Sequence, residues 1–301
     1  MPQIAHYDLE VMVGKGGMAE VYRAKVLEGP YAGRTVALKR LLPELSKDPH
    51  YVKLFTAEAE LSKQLHHPNV VEVLEAGVHR DVYYIVMEFV DGRDLGQVLT
   101  RCRQRGIQLP VDFAVFLVKT LLDALAYAHN LRGEDGFPLH LVHCDISPSN
   151  LFISRTGEIK LGDFGIAKVK SLEGAPSGDK VWGKAYYLSP EQLDGRIEPS
   201  ADIWAAVATL YELITNERPF VGKNADEVAR RIRHQDYVPL LERRPEAPEA
   251  LAAVIALAFS REPHERYQTA SDLAEAISTY YNADIGTPLA IAAVVRGLFG
   301  A

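Results

Sequence analysis

The chain has 301 residues, 48% of them apolar, which is enough for one large domain or two lobes and excludes a small disulfide-stapled protein. Its 33 Lys and Arg against 40 Asp and Glu give a formal net charge of -7, so the composition provides no overall positive field for nucleic acid or anionic lipid. The first residues lack a basic cluster followed by an apolar run, and the two cysteines cannot form a metal site alone. We therefore expect a cytoplasmic protein that binds no nucleic acid and has no membrane span.

The N-terminal part of the chain predicts a small β-sheet lobe with one helical insert. Strand-like alternation occurs in residues 9–13, 20–26, 35–41, 70–76 and 82–89. Beyond Gly92 the apolar residues recur with helical spacing, in residues 113–130, 201–214, 225–235, 251–259 and 270–281. Residues 141–191 lie between the first two of these helices and contain most of the unusual polar side chains, so we expect the chemistry there.

A glycine-rich turn joins the first two strands, with the sequence V-G-K-G-G-M-A-E-V at residues 13–21. Glycines without Cβ atoms let backbone N–H groups approach phosphate oxygens, although a tight hairpin turn uses the same residues. Lys39 ends the following V-A-L-K run and places an ammonium group beside this turn. Taken alone, Lys39 is more typical of a lysine that extends from a strand end into solvent.

The helical insert supplies the evidence that separates these interpretations. Leu54, Glu58, Leu61 and Leu65 fall on one narrow stripe of the helix, which places a carboxylate in an apolar face. Such a carboxylate must be paired, because an isolated buried charge is too costly to keep ionised. The sequence therefore predicts an ion pair between Lys39 and Glu58.

Two segments, L-V-H-C-D-I-S-P-S-N-L-F at residues 141–152 and K-L-G-D-F-G-I-A at residues 160–167, contain the strongest cluster of polar residues. Asp145 can accept a proton from a hydroxyl nucleophile, and Asn150 and Asp163 are oxygen ligands of the kind that Mg²⁺ prefers. Individually, each of these residues is more typical of a helix cap or a turn. Their occurrence together with the lysine and the glycine turn favours a phosphate-transfer site.

In this order the motifs, completed by S-P-E at residues 189–191, resemble the protein-kinase family over roughly residues 7–280. The resemblance implies an α+β, two-lobed fold with a small N-terminal antiparallel sheet lobe and a larger, mainly helical C-terminal lobe. We expect lobes at residues 1–90 and 91–283, followed by an apolar tail at residues 284–301. The motif style resembles bacterial Ser/Thr kinases, and the D-I-S-P-S-N loop is similar to those of myxobacterial type.

The resemblance also implies ATP and Mg²⁺ as cofactors. Met87 is expected to be the gatekeeper, and backbone groups of Glu88 and Val90 would meet the adenine. Asp94 would reach the ribose. The residues expected to bind the nucleotide are Val13, Gly14, Gly16, Gly17, Val21, Ala37, Lys39, Met87, Glu88, Val90, Asp94 and Phe152.

The same resemblance implies which residues act in catalysis and which stabilise the C-terminal lobe. Asn150 and Asp163 would hold the metal, and Asp202 would anchor the catalytic loop. Glu191 would pair with Arg266. The residues expected to act in catalysis are Asp145, Lys39, Glu58 and Lys184.

This sequence departs from the family pattern at five positions, none of which removes a metal ligand or the base. Ala19 replaces the third glycine, Cys144 the arginine before the catalytic aspartate, and Ser147 the catalytic-loop lysine. Lys184 replaces a threonine and Val207 a glycine. We expect Lys184 to supply the cation lost at Ser147.

The leading hypothesis is a kinase that transfers the γ-phosphoryl group of Mg-ATP to Ser and Thr hydroxyls of protein substrates, with Tyr left open as an acceptor. The alternatives are a pseudokinase scaffold and a small-molecule kinase of the aminoglycoside-phosphotransferase type, which would not need S-P-E, Glu191 or Arg266. Because Cys144 cannot pair with a phosphate and residues 163–191 contain no threonine, we expect activity without activation-loop phosphorylation. The apolar tail, residues 286–301, should dock on its own helical lobe or bind a partner protein or membrane surface.

Overall fold

The computed structural model of the chain describes residues 3–164 and 185–300. The N-terminal lobe is a six-stranded antiparallel sheet in which the strands follow the order β1-β2-β3-β4-β6-β5. Alternate residues of β4 are buried, as expected for a strand with one face on a core. The strands are β1 (Gln3–Ile4), β2 (Tyr7–Lys15), β3 (Ala19–Val26), β4 (Thr35–Leu41), β5 (Val73–His79) and β6 (Val82–Glu88).

One helix, α1 (Pro49–Ser62), packs on this sheet. Asp48 caps its first turn by accepting a hydrogen bond from the backbone N–H of His50, and Pro49 fits the first helical position. The helix turns Phe55 and Glu58 toward the sheet, so its carboxylate faces the interior as the stripe predicts.

The C-terminal lobe is mainly helical. A small three-stranded sheet, β7 (Gly92–Asp94), β8 (Leu151–Ser154) and β9 (Ile159–Leu161), lies within it. The helices are α2 (Leu95–Arg105), α3 (Val111–His129), α4 (Pro190–Leu193), α5 (Pro199–Thr215), α6 (Ala225–Arg233), α7 (Leu240–Arg243), α8 (Glu249–Ala258), α9 (Ala270–Ser278) and α10 (Pro288–Phe299).

Helix α5 runs through the centre of this lobe and is buried along nearly its whole length, from Ala201 to Thr215. Its apolar residues face every direction because other elements surround it. Trp204 stacks on Phe220 with ring centroids 5.4 Å apart, and the guanidinium of Arg266 lies 4.8 Å from the Trp204 ring. Asp202, near the start of the same helix, contacts the loop at residues 143–144.

The apolar tail forms α10 and docks on its own lobe. Ile291, Val295 and Leu298 are buried in the core of the lobe. Gly157 approaches the first residue of the helix so closely that a Cβ there would lie 1.9 Å from the carbonyl oxygen of Pro288. Of the alternatives for the tail, the structure therefore shows docking on its own lobe. Within the described part of the chain, every helix is too short or too polar to cross a bilayer.

One strand and one helix are among the elements that differ from the sequence-based expectation. Strand β5 begins at Val73, three residues later than predicted, and continues to His79. Helix α2 was not predicted, because its composition is polar and its buried face holds only Leu95, Val98, Leu99 and Cys102.

Candidate active site

The side chain of Lys39 connects strand β4 with helix α1 and with the loop after β9. Its Nζ lies 2.6 Å from Glu58 Oε1 and 2.9 Å from Asp163 Oδ1. Burial by itself would lower the pKa of the Lys39 ammonium, but the carboxylates of Asp163 and Glu58 outweigh it and raise that pKa. Lys39 is therefore a fixed cation, and the predicted Lys39–Glu58 pair is present.

The loop that carries Asp145 is fixed by a buried carboxylate from α5. The backbone N–H groups of His143 and Cys144 donate to Asp202, over 2.7 and 2.9 Å. The side chain of His129 contacts the same carboxylate at 2.9 Å. Asp202 is 1% exposed, so its charge is stabilised by these groups and not by water. It anchors the loop in the way that the resemblance implies.

Cys144 adopts a left-handed backbone conformation, with φ of +63°, which is uncommon for a residue with a Cβ. Asp202 binds two consecutive backbone N–H groups at this strained position, those of His143 and of Cys144 itself. Burial raises the pKa of the Cys144 thiol, and the nearby carboxylates of Asp202 and Asp145 raise it further. The thiol is thus neutral and cannot replace an arginine as an anion-binding group.

Asp145 and Asn150 are held together in the same loop. The amide nitrogen of Asn150 donates to the carbonyl oxygen of Asp145 over 2.8 Å and to its carboxylate over 3.0 Å. Both residues are buried, at 8% and 4% exposure. The bonds fix the orientation of the Asp145 carboxylate, and they also fix which atom of the Asn150 amide is the oxygen.

Asp163 lies across from this loop in a left-handed conformation, with φ of +51°. The next residue, Phe164, is buried and its ring lies 4.5 Å from the ring of His143. His143 contacts the carbonyl oxygen of Gly162 over 3.0 Å, and burial lowers the pKa of its imidazole. The neutral ring and Phe164 therefore hold Asp163 toward Lys39.

The strand register brings the other predicted pocket residues to one place. Gly14 pairs with Val21, Val21 with Lys39, and Ala37 with Met87, on adjacent strands. Phe152 pairs with Asp94 across β7 and β8. Asp94 also caps α2 by accepting from the N–H of Gln97, and burial raises the pKa of its carboxyl group. The side chain of Glu88 accepts a hydrogen bond from Lys160 over 2.7 Å. The prediction that Glu88 meets the adenine therefore concerns its backbone groups and not its carboxylate.

The glycine turn offers room above its backbone. Gly16 donates to the carbonyl oxygen of Ala19 over 2.8 Å. A Cβ at Gly17 would meet no atom within 4 Å, and a Cβ at Gly16 would meet only Ala19, at 3.6 Å. Neither glycine has positive φ, so the turn itself does not require them. A ligand that approaches the backbone closely would require them.

The match to a family model of the protein kinase domain spans residues 7–278. The chain belongs to the protein kinase family. It is 36% identical over its whole length to the tyrosine-protein kinase MasK of Myxococcus xanthus and covers 47% of that protein. It is 35% identical to the serine/threonine-protein kinase PrkC of Bacillus subtilis, covering 92% of this chain and 41% of the relative. The chain thus spans less than half the length of these curated relatives.

Solved kinase structures share the fold. The crystal structure of the Mycobacterium tuberculosis PknI kinase domain has a TM-score of 0.68 and 26% identity, covering 92% of this chain and 97% of that one. A cysteine-to-alanine variant of the same domain has a TM-score of 0.69 and 27% identity. The two-lobed fold predicted from the sequence is therefore confirmed.

The kinase motif S-P-E also takes its expected place in the lobe. Arg266 donates to both carboxylate oxygens of Glu191, over 2.8 and 2.9 Å, and both side chains are 0% exposed. Ser189 caps α4 in a capping box with Gln192, whose amide reaches the carbonyl oxygen of Cys144 over 3.4 Å. The end of the kinase activation segment is thereby tied to the catalytic loop.

Part of the predicted kinase site lies outside the described residues. Lys184, Gly165 of D-F-G, and the two serines Ser171 and Ser177 belong to this group. The other predicted site residues all fall within the described part of the chain.

Sequence reasoning missed one group of polar residues in the kinase domain. Tyr187 donates to the buried carboxylate of Glu212, which also accepts from Arg103 over 2.5 Å. Arg218 lies 3.7 Å from the same carboxylate. The sequence did contain a signal for Glu212, which is a carboxylate in a mainly apolar segment of its helix, the same kind of exception that identified Glu58.

Proposed function

We propose that this chain is an active protein kinase that transfers the γ-phosphoryl group of ATP to Ser and Thr hydroxyls of protein substrates. The observation that supports it most is the joint placement of Lys39, Glu58 and Asp163 within hydrogen-bond distance. A phosphoryl transfer needs positioning and charge stabilisation more than covalent chemistry, and this group provides both. The proposal includes the lobe limits 1–90 and 91–283, with the tail after them, and a cytoplasmic location.

The residues fit Mg²⁺ and ATP. The open space above Gly16 and Gly17 suits a phosphate that accepts from backbone N–H groups. The Asp163 carboxylate and the Asn150 amide oxygen are suitable ligands, because Mg²⁺ is commonly bound by one or two such groups together with substrate phosphates. When bound, Mg²⁺ neutralises charge on the phosphate oxygens.

Each residue then has a defined task. Lys39, oriented by Glu58, binds phosphate oxygens of the nucleotide. The carboxylate of Asp145, oriented by Asn150, accepts the proton of the acceptor hydroxyl. The hydroxyl oxygen forms a bond to the γ-phosphorus, the bond from that phosphorus to the bridging oxygen breaks, and ADP leaves with the electron pair.

The two rival functions have less support. A pseudokinase usually lacks the base or a metal ligand, whereas Asp145, Asn150 and Asp163 are all present. A small-molecule kinase does not need the buried Glu191–Arg266 pair, which this chain has. The decisive experiment incubates the chain with labelled ATP, Mg²⁺ and a basic and an acidic test protein, beside an Asp145→Asn control. Equal labelling by both enzymes would contradict the proposal.

Tyrosine is the second candidate acceptor. Support comes from MasK, which is named a tyrosine-protein kinase and matches the whole chain. PrkC, named a serine/threonine-protein kinase, matches nearly as well. Phosphoamino-acid analysis of the labelled products separates the candidates, because phosphoserine and phosphothreonine are expected and phosphotyrosine alone would overturn the Ser/Thr assignment.

Use of the tail by a partner protein remains a separate proposal. The buried side of α10 faces its own lobe, so only its outer face is open to a partner. Leu289 is 75% exposed there and is the most exposed large apolar side chain among the described residues. Loss of a co-purifying protein from a Leu289→Asp variant would support the partner, and unchanged co-purification would oppose it.

A further inference from the structure

A cleft of about 710 Å³ opens beside the catalytic loop. Ser147, Pro148 and Ser149 line it and follow Asp145 within the same loop. Further lining residues come from α2 and from α5. A protein segment that offers its hydroxyl to Asp145 must pass along this loop, so the cleft is placed to receive residues that flank the acceptor.

The described lining residues carry a net positive charge, although the whole chain is acidic. Four arginines line the cleft, against two carboxylates. A cleft with one dominant sign of charge focuses the field and attracts ligands of the opposite sign. The arginines are Arg93, Arg101, Arg103 and Arg218.

Both carboxylates already have partners. Glu212 is 2% exposed and is bound by Arg103, Tyr187 and, at 3.7 Å, by Arg218. Asp94 caps the first turn of α2. A basic side chain of a substrate would therefore have to compete with these contacts for an acidic group.

Arg93 and Arg101 are different, because neither makes an ion pair within the described part of the chain. Arg101 donates to the carbonyl oxygen of Leu298 over 3.0 Å, and the guanidinium of Arg93 lies 5.2 Å from the centre of the Phe299 ring. Both partners are uncharged groups at the end of α10. The docked tail thus holds both guanidinium groups at the cleft, and neither forms an ion pair with a described carboxylate.

We propose that this cleft selects acceptor segments with Asp or Glu beside the phosphorylated hydroxyl, and that Arg93 and Arg101 are its specificity-determining residues. The inference rests on the proposed kinase function and names the class of its substrates. Guanidinium groups suit this role because they bind carboxylates through paired, charge-assisted hydrogen bonds.

The test compares three fluorescent peptides that share one acceptor hydroxyl and differ only in their flanking residues, which are Glu, Ala or Lys. Binding to the full chain with Mg²⁺ and a non-hydrolysable ATP analogue is measured by anisotropy, and turnover is measured separately with ATP. The Glu peptide should bind about tenfold or more tightly than the Lys peptide, as one charge-assisted contact implies. Equal affinities, or no detectable binding of the Glu peptide, would overturn the inference.

Arg105 provides a matched control. It donates to the carbonyl oxygen of Gly297 over 2.8 Å, so it holds the tail as Arg101 does, but it does not line the cleft. Arg93→Ala and Arg101→Ala should each reduce the preference for Glu, and Arg105→Ala should keep it. Equal losses in Arg101→Ala and Arg105→Ala would assign the effect to tail docking and contradict the specificity role.

The two readouts separate this inference from the kinase proposal. Turnover of all three peptides at equal rates would contradict the acidic preference and leave the kinase function intact. A binding preference for Glu without turnover of any peptide would contradict the kinase function and leave the acidic site intact. Arg101→Glu should invert the preference toward the Lys peptide, and a retained Glu preference in that variant would count against the inference.

Discussion

Lys39 Nζ lies 2.6 Å from Glu58 Oε1, a bond that connects β4 to the buried face of α1. Glu58 is 6% exposed, so its carboxylate depends on this cation for its charge. Glu60, two residues later on the same helix, is exposed and pairs with Lys63 at the surface. The two glutamates therefore allow a buried and an exposed carboxylate of one helix to be compared.

Glu58→Gln should lower kcat/KM for ATP about tenfold or more, because Lys39 loses its orienting carboxylate. Glu60→Gln should leave kcat/KM within about twofold of wild type, as expected for an exposed pair. Steady-state kinetics at varied ATP check both, with melting temperatures to confirm that each variant folds. Equal kinetics in the two variants would show that the Lys39–Glu58 bond does not position the nucleotide.

The sequence was sufficient to predict the Lys39–Glu58 pair, because helical periodicity alone puts a charge into an apolar stripe. The cleft arginines could not be predicted in this way. Arg101 and Arg218 are far apart in the sequence, and the contact of α2 with the end of α5, where Arg103 binds Glu212 and the carbonyl oxygen of Asn216, brings them to one cleft. Helix α2 itself was missed, since its four buried side chains are too few to stand out in a polar segment.

Gly157→Ala should weaken the docking of the tail. Gly157 has φ of +91°, and its added Cβ would collide with Pro288; Gly136 has φ of +79° but open space around it. Gly136→Ala should therefore cost only the backbone strain, about 1 kcal/mol, and Gly157→Ala about 2 kcal/mol more in the free energy of unfolding. Urea unfolding measures the difference, and equal losses would mean that the contact with Pro288 does not restrain α10.

Phosphatase treatment of the purified chain should leave its rate nearly unchanged. The neutral, half-buried thiol of Cys144 occupies the position from which the resembling family would hold a phosphate with an arginine. Activity before and after treatment gives the measurement, with mass spectrometry to verify that phosphate was removed. A tenfold loss that autophosphorylation restores would overturn this prediction.

Lys184→Ala should lower kcat about tenfold with little change in ATP affinity, if Lys184 replaces the catalytic-loop cation. Ser147, at the position of the missing lysine, is buried and its Oγ lies 3.0 Å from that of Ser149. The exchange Ser147→Lys with Lys184→Thr should restore much of the lost rate. Full kcat in Lys184→Ala, or an exchange variant as slow as the single variant, would exclude this role.

Asp145→Asn tests most directly whether this chain is a phosphoryl-transfer enzyme. The substitution keeps the size of the side chain and removes the group that accepts the hydroxyl proton, so transfer should fall about a hundredfold or more. The affinity for Mg-ATP, measured by calorimetry on the same samples, should stay close to that of the wild type because Lys39, Glu58 and Asp163 are unchanged. Wild-type protein that binds Mg-ATP but transfers phosphate no faster than Asp145→Asn would contradict the enzymatic function.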